Sequence, residues 1–219
     1  MGRTGRLFAW IGFAVGLYAV TLQGSLTIPE RLAKGDTVTG ALTFYFSFMT
    51  ILSNSVLALV HLAVASEAPA LARLRGPAVR TAMAALMLFV MVYFHFALAP
   101  TLALTGWWRV ASHLLHYATP SLYLISWLLF APHGQTRLAQ VPAMVAWPLA
   151  YVLYAIGRGA MVGEYPYPVL NAATLGYGRV AIGVVVLLLI FALLCAGLIL
   201  LDRWLGRFGP PVAEGARQA

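Results

Sequence analysis

VAIGVVVLLLIFALLCAGLILL, residues 180–201, is a run of 22 residues with no charge, amide or hydroxyl, closed by Arg179 before it and by Asp202 and Arg203 after it. A helix needs about 20 apolar residues to cross a hydrocarbon core of about 30 Å, so this run is a transmembrane span. Five further apolar runs lie upstream, at residues 7–24, 41–65, 81–104, 107–131 and 141–156. Together they use up nearly the whole chain of 219 residues. Composition agrees: 62% of residues are hydrophobic and 9% charged, against roughly 45–50% and about 25% in a soluble domain. A water-soluble globule is excluded. The predicted fold is all-α, a polytopic membrane protein with six transmembrane helices in one domain over residues 1–202. Residues 203–219, with Gly, Pro-Pro and mixed charge, are expected to form a disordered cytoplasmic tail.

The net charge is +8, but the basic residues sit at the ends of apolar runs and form no stripe, so nucleic acid is not an expected partner. They set orientation instead. With six spans, Arg3, Arg6, Arg73, Arg75, Arg80, Arg137, Arg203, Arg207 and Arg217 share one side, and Arg31, Lys34, Arg109, Arg158 and Arg179 the other. Cytoplasmic segments hold the basic excess, which places both termini in the cytoplasm. The first run follows Arg3 and Arg6 but precedes no small-residue cleavage site, and reads as a retained helix. A bacterial plasma membrane is the expected location, and membrane lipids are the expected partners. Cys195 is the single cysteine, so no intrachain disulfide or cysteine-based metal site is possible. No metal and no cofactor are expected.

Two outer loops are richer than a connector requires. The first carries Pro29, Glu30, Arg31, Lys34 and Asp36, and the fifth carries Arg158, Glu164 and Tyr165-Pro166-Tyr167-Pro168. Prolines stiffen the fifth loop and tyrosines favour the headgroup level, which suits a cap over an outward-facing cavity.

Polar side chains inside spans face the bundle interior and mark candidate sites. Thr43, Ser47, Thr50 and Asn54 recur at steps of four, three and four, which places all of them on one helical face as a polar stripe. His116, Thr119, Tyr123 and Ser126 do the same in the fourth span, and Trp147, Tyr151, Tyr154 and Arg158 in the fifth. Such residues commonly serve as hydrogen-bonding glue between helices. Gly12 and Gly16 form a G-x-x-x-G pair, read as close helix packing. Depth separates the candidates further: Thr50, His95 and His116 each lie nine residues from an outer span end, about 14 Å down at 1.5 Å per residue. No Asp or Glu lies within any span. The chemistry available is therefore a dyad, with Thr50 as nucleophile and His116 as base, the imidazole oriented by a hydroxyl, an amide or a backbone carbonyl. Asn54, Ser47, Ser53, Thr119, Tyr123 and His95 are the candidates for dyad support, substrate contact or oxyanion donation.

The stretches Phe44 to Asn54, Leu114 to Pro120, Trp127 to Gly134 and Tyr165 to Pro168 resemble the bacterial branch of the FAR/AIG-like family, the androgen-induced six-transmembrane proteins. The animal members are intramembrane threonine hydrolases of fatty acid esters of hydroxy fatty acids. The resemblance implies Thr50 and His116 as the catalytic pair and an acyl ester as substrate, with His95 matching no motif. Two other classes fit the residues. A haem-bearing electron-transfer protein would use His95 and His116 as axial ligands, and a non-catalytic lipid-binding or transport bundle would use the polar stripes as a lining. The sequence leaves the oligomeric state open.

Overall fold

The computed structural model describes residues 2–208. Residues 209–219, most of the expected tail, lie outside the described residues. The chain is all-helical, with no strand among the described residues. In order it forms α1 (Arg3–Ala33), α2 (Val38–Tyr45), α3 (Met49–Ser66), α4 (Pro77–Tyr93), α5 (Gly106–His113), α6 (Thr119–Phe130), α7 (Val141–Val162), α8 (Ala172–Leu175) and α9 (Tyr177–Leu205). Five segments are long and apolar enough to cross a membrane: Arg3–Ala33, Met49–Ser66, Pro77–Thr101, Leu138–Val162 and Tyr177–Leu205. The chain has the architecture of a multi-pass membrane protein. Its helix α9 runs to Leu205, so the start of the expected tail is helical.

The bundle is patterned for lipid rather than water. The buried residues of α1 are Gly5, Ala9, Gly12, Gly16, Ala19, Gly24 and Thr27, all small, whereas Leu7, Tyr18, Ile182 and Leu193 point outward. Large apolar side chains are left to the acyl chains, and small ones let backbones approach. Helix α1 packs along α3, α4 against α6 and α9, and α7 against α9. At Gly12 the approach is close enough that an added Cβ would meet the ring of His61.

Two expected spans depart from continuous helix, and both departures build the site. The second is broken at Phe46 to Phe48 into α2 and α3. Ser47 Oγ donates to the Phe44 carbonyl at 2.6 Å, Tyr45 Oη donates to the Val20 carbonyl at 2.5 Å, and Tyr151 Oη takes up the Ser47 carbonyl at 2.8 Å. The Phe44 and Ser47 carbonyls at the break are thereby satisfied inside the bundle, as a membrane interior demands.

The fourth expected span is helical throughout residues 106–130 but passes through a π-helical turn, Leu114–Ala118, between α5 and α6. Pro120 explains it. Proline has no N–H to give, and the Thr119 amide reaches back to the Leu114 carbonyl. The Leu115 carbonyl, left without a backbone donor, receives Asn54 Nδ2 at 3.2 Å and Thr119 Oγ1 at 3.3 Å instead. A second π turn, Phe94–Leu98, follows α4 and likewise ends just before a proline, Pro100. π turns gather at functional sites, and these two face each other, with Phe94 stacked on His116.

Candidate functional site

Thr50 is the second residue of α3, whose first residue follows an extended Phe48. The break therefore places its hydroxyl at a helix N-terminus within the bundle, not nine residues into a continuous span. Thr50 Oγ1 lies 3.2 Å from His116 Nε2. His116 Nδ1 lies 2.8 Å from the Ser112 carbonyl oxygen, with Ser112 Oγ at 3.3 Å. A carbonyl can only accept, so Nδ1 carries the proton in the neutral ring, and the lone pair of Nε2 faces the Thr50 hydroxyl. That is the tautomer a general base needs. The orienting group is thus a backbone carbonyl. Phe94 covers one face of the imidazole, with ring centroids 3.7 Å apart and planes 13° from parallel.

The polar residues expected around the pair divide sharply. Asn54 is buried behind it: Nδ2 donates to the Thr50 carbonyl at 2.8 Å and to the Leu115 carbonyl, while Oδ1 accepts from Thr119 Oγ1. Its amide hydrogens are spent, so Asn54 positions the two halves of the dyad rather than donating to an oxyanion. Thr119 acts through that link and through the Leu114 carbonyl at 3.1 Å. Ser53 returns to the Thr50 carbonyl at 3.2 Å. Ser47 shapes the helix break. Thr43 is exposed and bonds its own turn, because the stripe it belonged to ends at the break.

Tyr123 and His95 are not at the site. Tyr123 lies two turns beyond His116, about 10 Å along the axis, where its hydroxyl donates to the Arg80 carbonyl at 2.9 Å. His95 is exposed, with Nδ1 3.1 Å from Tyr117 Oη. Equal depth did not pair it with His116, whose two ring nitrogens meet Thr50 and the Ser112 carbonyl. The paired axial ligands of the haem reading are therefore not assembled. Among the described residues no group of three His, Cys, Asp or Glu could hold a metal ion.

Tyr167 was singled out by its loop but not as a site residue. Its hydroxyl stands 3.5 Å from Thr50 Oγ1, at the start of α3, where the Met49 and Thr50 amides have no carbonyl one turn upstream to bond. Phe48 and Tyr93 hold the ring edge-on, with centroids at 5.9 and 6.4 Å. The fifth loop thus reaches into the bundle rather than lying over it. Pro29, Glu30 and Arg31, expected in the first loop, lie in the last turns of α1, and the fifth loop is tied there by Glu164, which Arg31 of α1 approaches at 3.0 Å and Arg158 of α7 at 3.7 Å. Arg31 also meets Asp36 at 2.5 Å and lies 4.2 Å over the Phe44 ring.

Two cavities meet at the dyad, sharing Thr50, Phe94, Leu98, His116 and Tyr167. One is a narrow apolar slot of about 80 Å³ between α4, α7 and α9, walled by Leu86, Phe89, Val90, Val152, Leu187 and Phe191. The other is a wider chamber of about 400 Å³ toward the loops, where Gln23, Thr27, Glu30, Thr101 and Ser112 add polar groups. Compared with known proteins, the chain matches no protein-family model, no curated protein and no solved structure.

Proposed function

We propose that this chain is an intramembrane threonine hydrolase of lipid esters, akin to the FAR/AIG-like family that its motifs resemble. The observation that carries the reading is the Thr50–His116 contact, with Nδ1 held on the Ser112 carbonyl. Thr50 Oγ1 attacks the acyl carbonyl as its proton passes to His116 Nε2. The developing oxyanion lies against the Met49 and Thr50 amides, at the start of α3, where the phenol oxygen of Tyr167 rests in the free protein. Collapse expels the alcohol, which takes the proton from Nε2. Water then attacks the acyl-threonine, His116 receives the water's proton and returns it to Oγ1, and the acid leaves.

The cavities support an amphiphilic ester, with the acyl chain in the apolar slot and the leaving alcohol in the polar-walled chamber. In this reading residues 106–130 form a sixth span, both termini face the cytoplasm, and the protein resides in a bacterial plasma membrane.

Turnover of long-chain acyl esters by purified wild-type protein, beside a thermal melt of each variant, tests the mechanism. Thr50→Ala and His116→Ala should each abolish turnover while the melt shifts little, since one interhelical hydrogen bond is worth about 0.6 kcal/mol. General base catalysis alone contributes about 100- to 10,000-fold. The double variant should be hardly worse than either single one, because nucleophile and base act as a unit. Equal turnover in wild type and a folded Thr50→Ala protein would overturn the mechanism.

A further inference from the structure

Where α3 ends and α4 begins, remote from the dyad, a cavity of about 600 Å³ opens between Val64, Glu67, Arg75, Arg80, Phe130 and Pro132. Arg80 decides its character. It lies in the first turns of α4 and is only 8% exposed. No carboxylate among the described residues comes within 4.0 Å of its guanidinium, and the polar side chain it interacts with is the Tyr123 phenol. The phenol oxygen of Tyr123 lies beside it, but this is a neutral group whose own proton goes to the Arg80 carbonyl.

The other polar groups at the cavity and behind it do not supply the missing charge. Glu67 is half exposed and faces Arg6, with Nη1 at 3.9 Å. Arg75 donates through Nη1 to the Ala63 and Ala68 carbonyls, at 3.2 and 2.9 Å. Those bonds fix its guanidinium at the rim and add a second positive charge. His61, edge-on to Tyr123 with ring centroids 5.3 Å apart, has a buried Nε2 with no partner among the described residues. An arginine cannot shed its proton in a protein, and a buried charge is costly unless paired. Glu67, the one carboxylate lining the cavity among the described residues, is not paired with Arg80, so the guanidinium is available to an anion from outside.

We infer that this cavity binds a phosphate group, held by the guanidinium of Arg80 and the free edge of Arg75. Guanidinium geometry matches phosphate oxygens in pairs. Basic pockets between helices at a membrane face take phospholipid headgroups, and the walls of Val64, Phe130 and Pro132 suit a ligand with an apolar body. Free phosphate offers the same oxygens without that body.

Thermal melts of the full-length protein in detergent, with added phosphatidylglycerol, phosphatidylcholine or inorganic phosphate, distinguish the sources. Phosphatidylglycerol is expected to raise Tm by a few degrees and phosphatidylcholine by less. A rise of equal size with inorganic phosphate assigns the site to the free anion. Arg80→Gln should melt no lower than wild type when no anion is added, since it removes an unpaired buried charge, and should lose the anion-dependent rise. Arg75→Gln, altered only at the rim, should shrink that rise and serves if Arg80→Gln does not fold. No rise with either anion in wild type, or an undiminished rise in the arginine variants, would overturn the inference.

Discussion

Phe94 lies flat on the imidazole of His116, and both residues belong to π-helical turns that end before a proline. The ring covers one face of the imidazole and leaves its two nitrogens to Ser112 and Thr50. Phe94→Leu keeps an apolar side chain but removes the flat surface. Aromatic stacking is worth about 0.5–1.5 kcal/mol, so ester turnover should fall by up to about tenfold in kcat with KM nearly unchanged. Steady-state kinetics on the two proteins check this.

Asn54 joins the start of α3 to the carbonyl that Pro120 leaves open. Asn54→Leu should remove the amide donor from the Thr50 and Leu115 carbonyls and the acceptor from Thr119, whose hydroxyl keeps only its own helix's carbonyls, and lower stability by about 1–2 kcal/mol, the upper range for interhelical hydrogen bonds in membranes. Turnover should fall more than the melt suggests, because Thr50 and His116 lose their common brace. A melt and a turnover assay on the same preparation separate the two effects.

The fit of α1 on α3 is tight at one point. Gly12→Ala would place a methyl group in the space of the His61 ring, and overpacking of this kind costs about 1–3 kcal/mol. Combining it with His61→Ala should relieve part of that cost. A double-mutant cycle by thermal melting gives the coupling, and strict additivity would count against direct contact.

Six spans require Gly2 and Gly35 to face opposite sides of the membrane. Single cysteines at these positions, in a Cys195→Ser background, should respond differently to an impermeant thiol reagent added outside intact cells. Gly35→Cys is expected to react and Gly2→Cys only after permeabilisation. The reverse pattern would invert the orientation, and reaction of both from outside would remove one crossing.

The hydrophobic runs located every long helix, because an apolar stretch of span length has no soluble alternative. Thr50 and His116 were legible too, as a hydroxyl and an imidazole in otherwise apolar helices. The stripes around them were less so. Helical periodicity tells which residues share a face only while the helix continues, and the break at Phe46 to Phe48 detached Thr43 from Thr50. Depth arithmetic fixes height but not direction, which is why His95 was grouped with His116 and lies instead against Tyr117. Tyr167 approaches Thr50 along the path of a loop, and no periodicity records such a path. Pro120 was visible in the sequence, but its effect depended on Asn54 offering a donor from another helix.

The slot and the chamber, one narrow and one wide, share Thr50 in their walls, and this fixes a timetable for the proposed reaction. An acyl group esterified to Thr50 with its tail in the slot would stop up the narrow side, so departing alcohol and arriving water would have to use the same wide doorway. The first must leave before the second can enter. Turnover would then run in two strokes, alcohol out first and acid out last, and a bulky alcohol that lingers would slow the second stroke as well as the first.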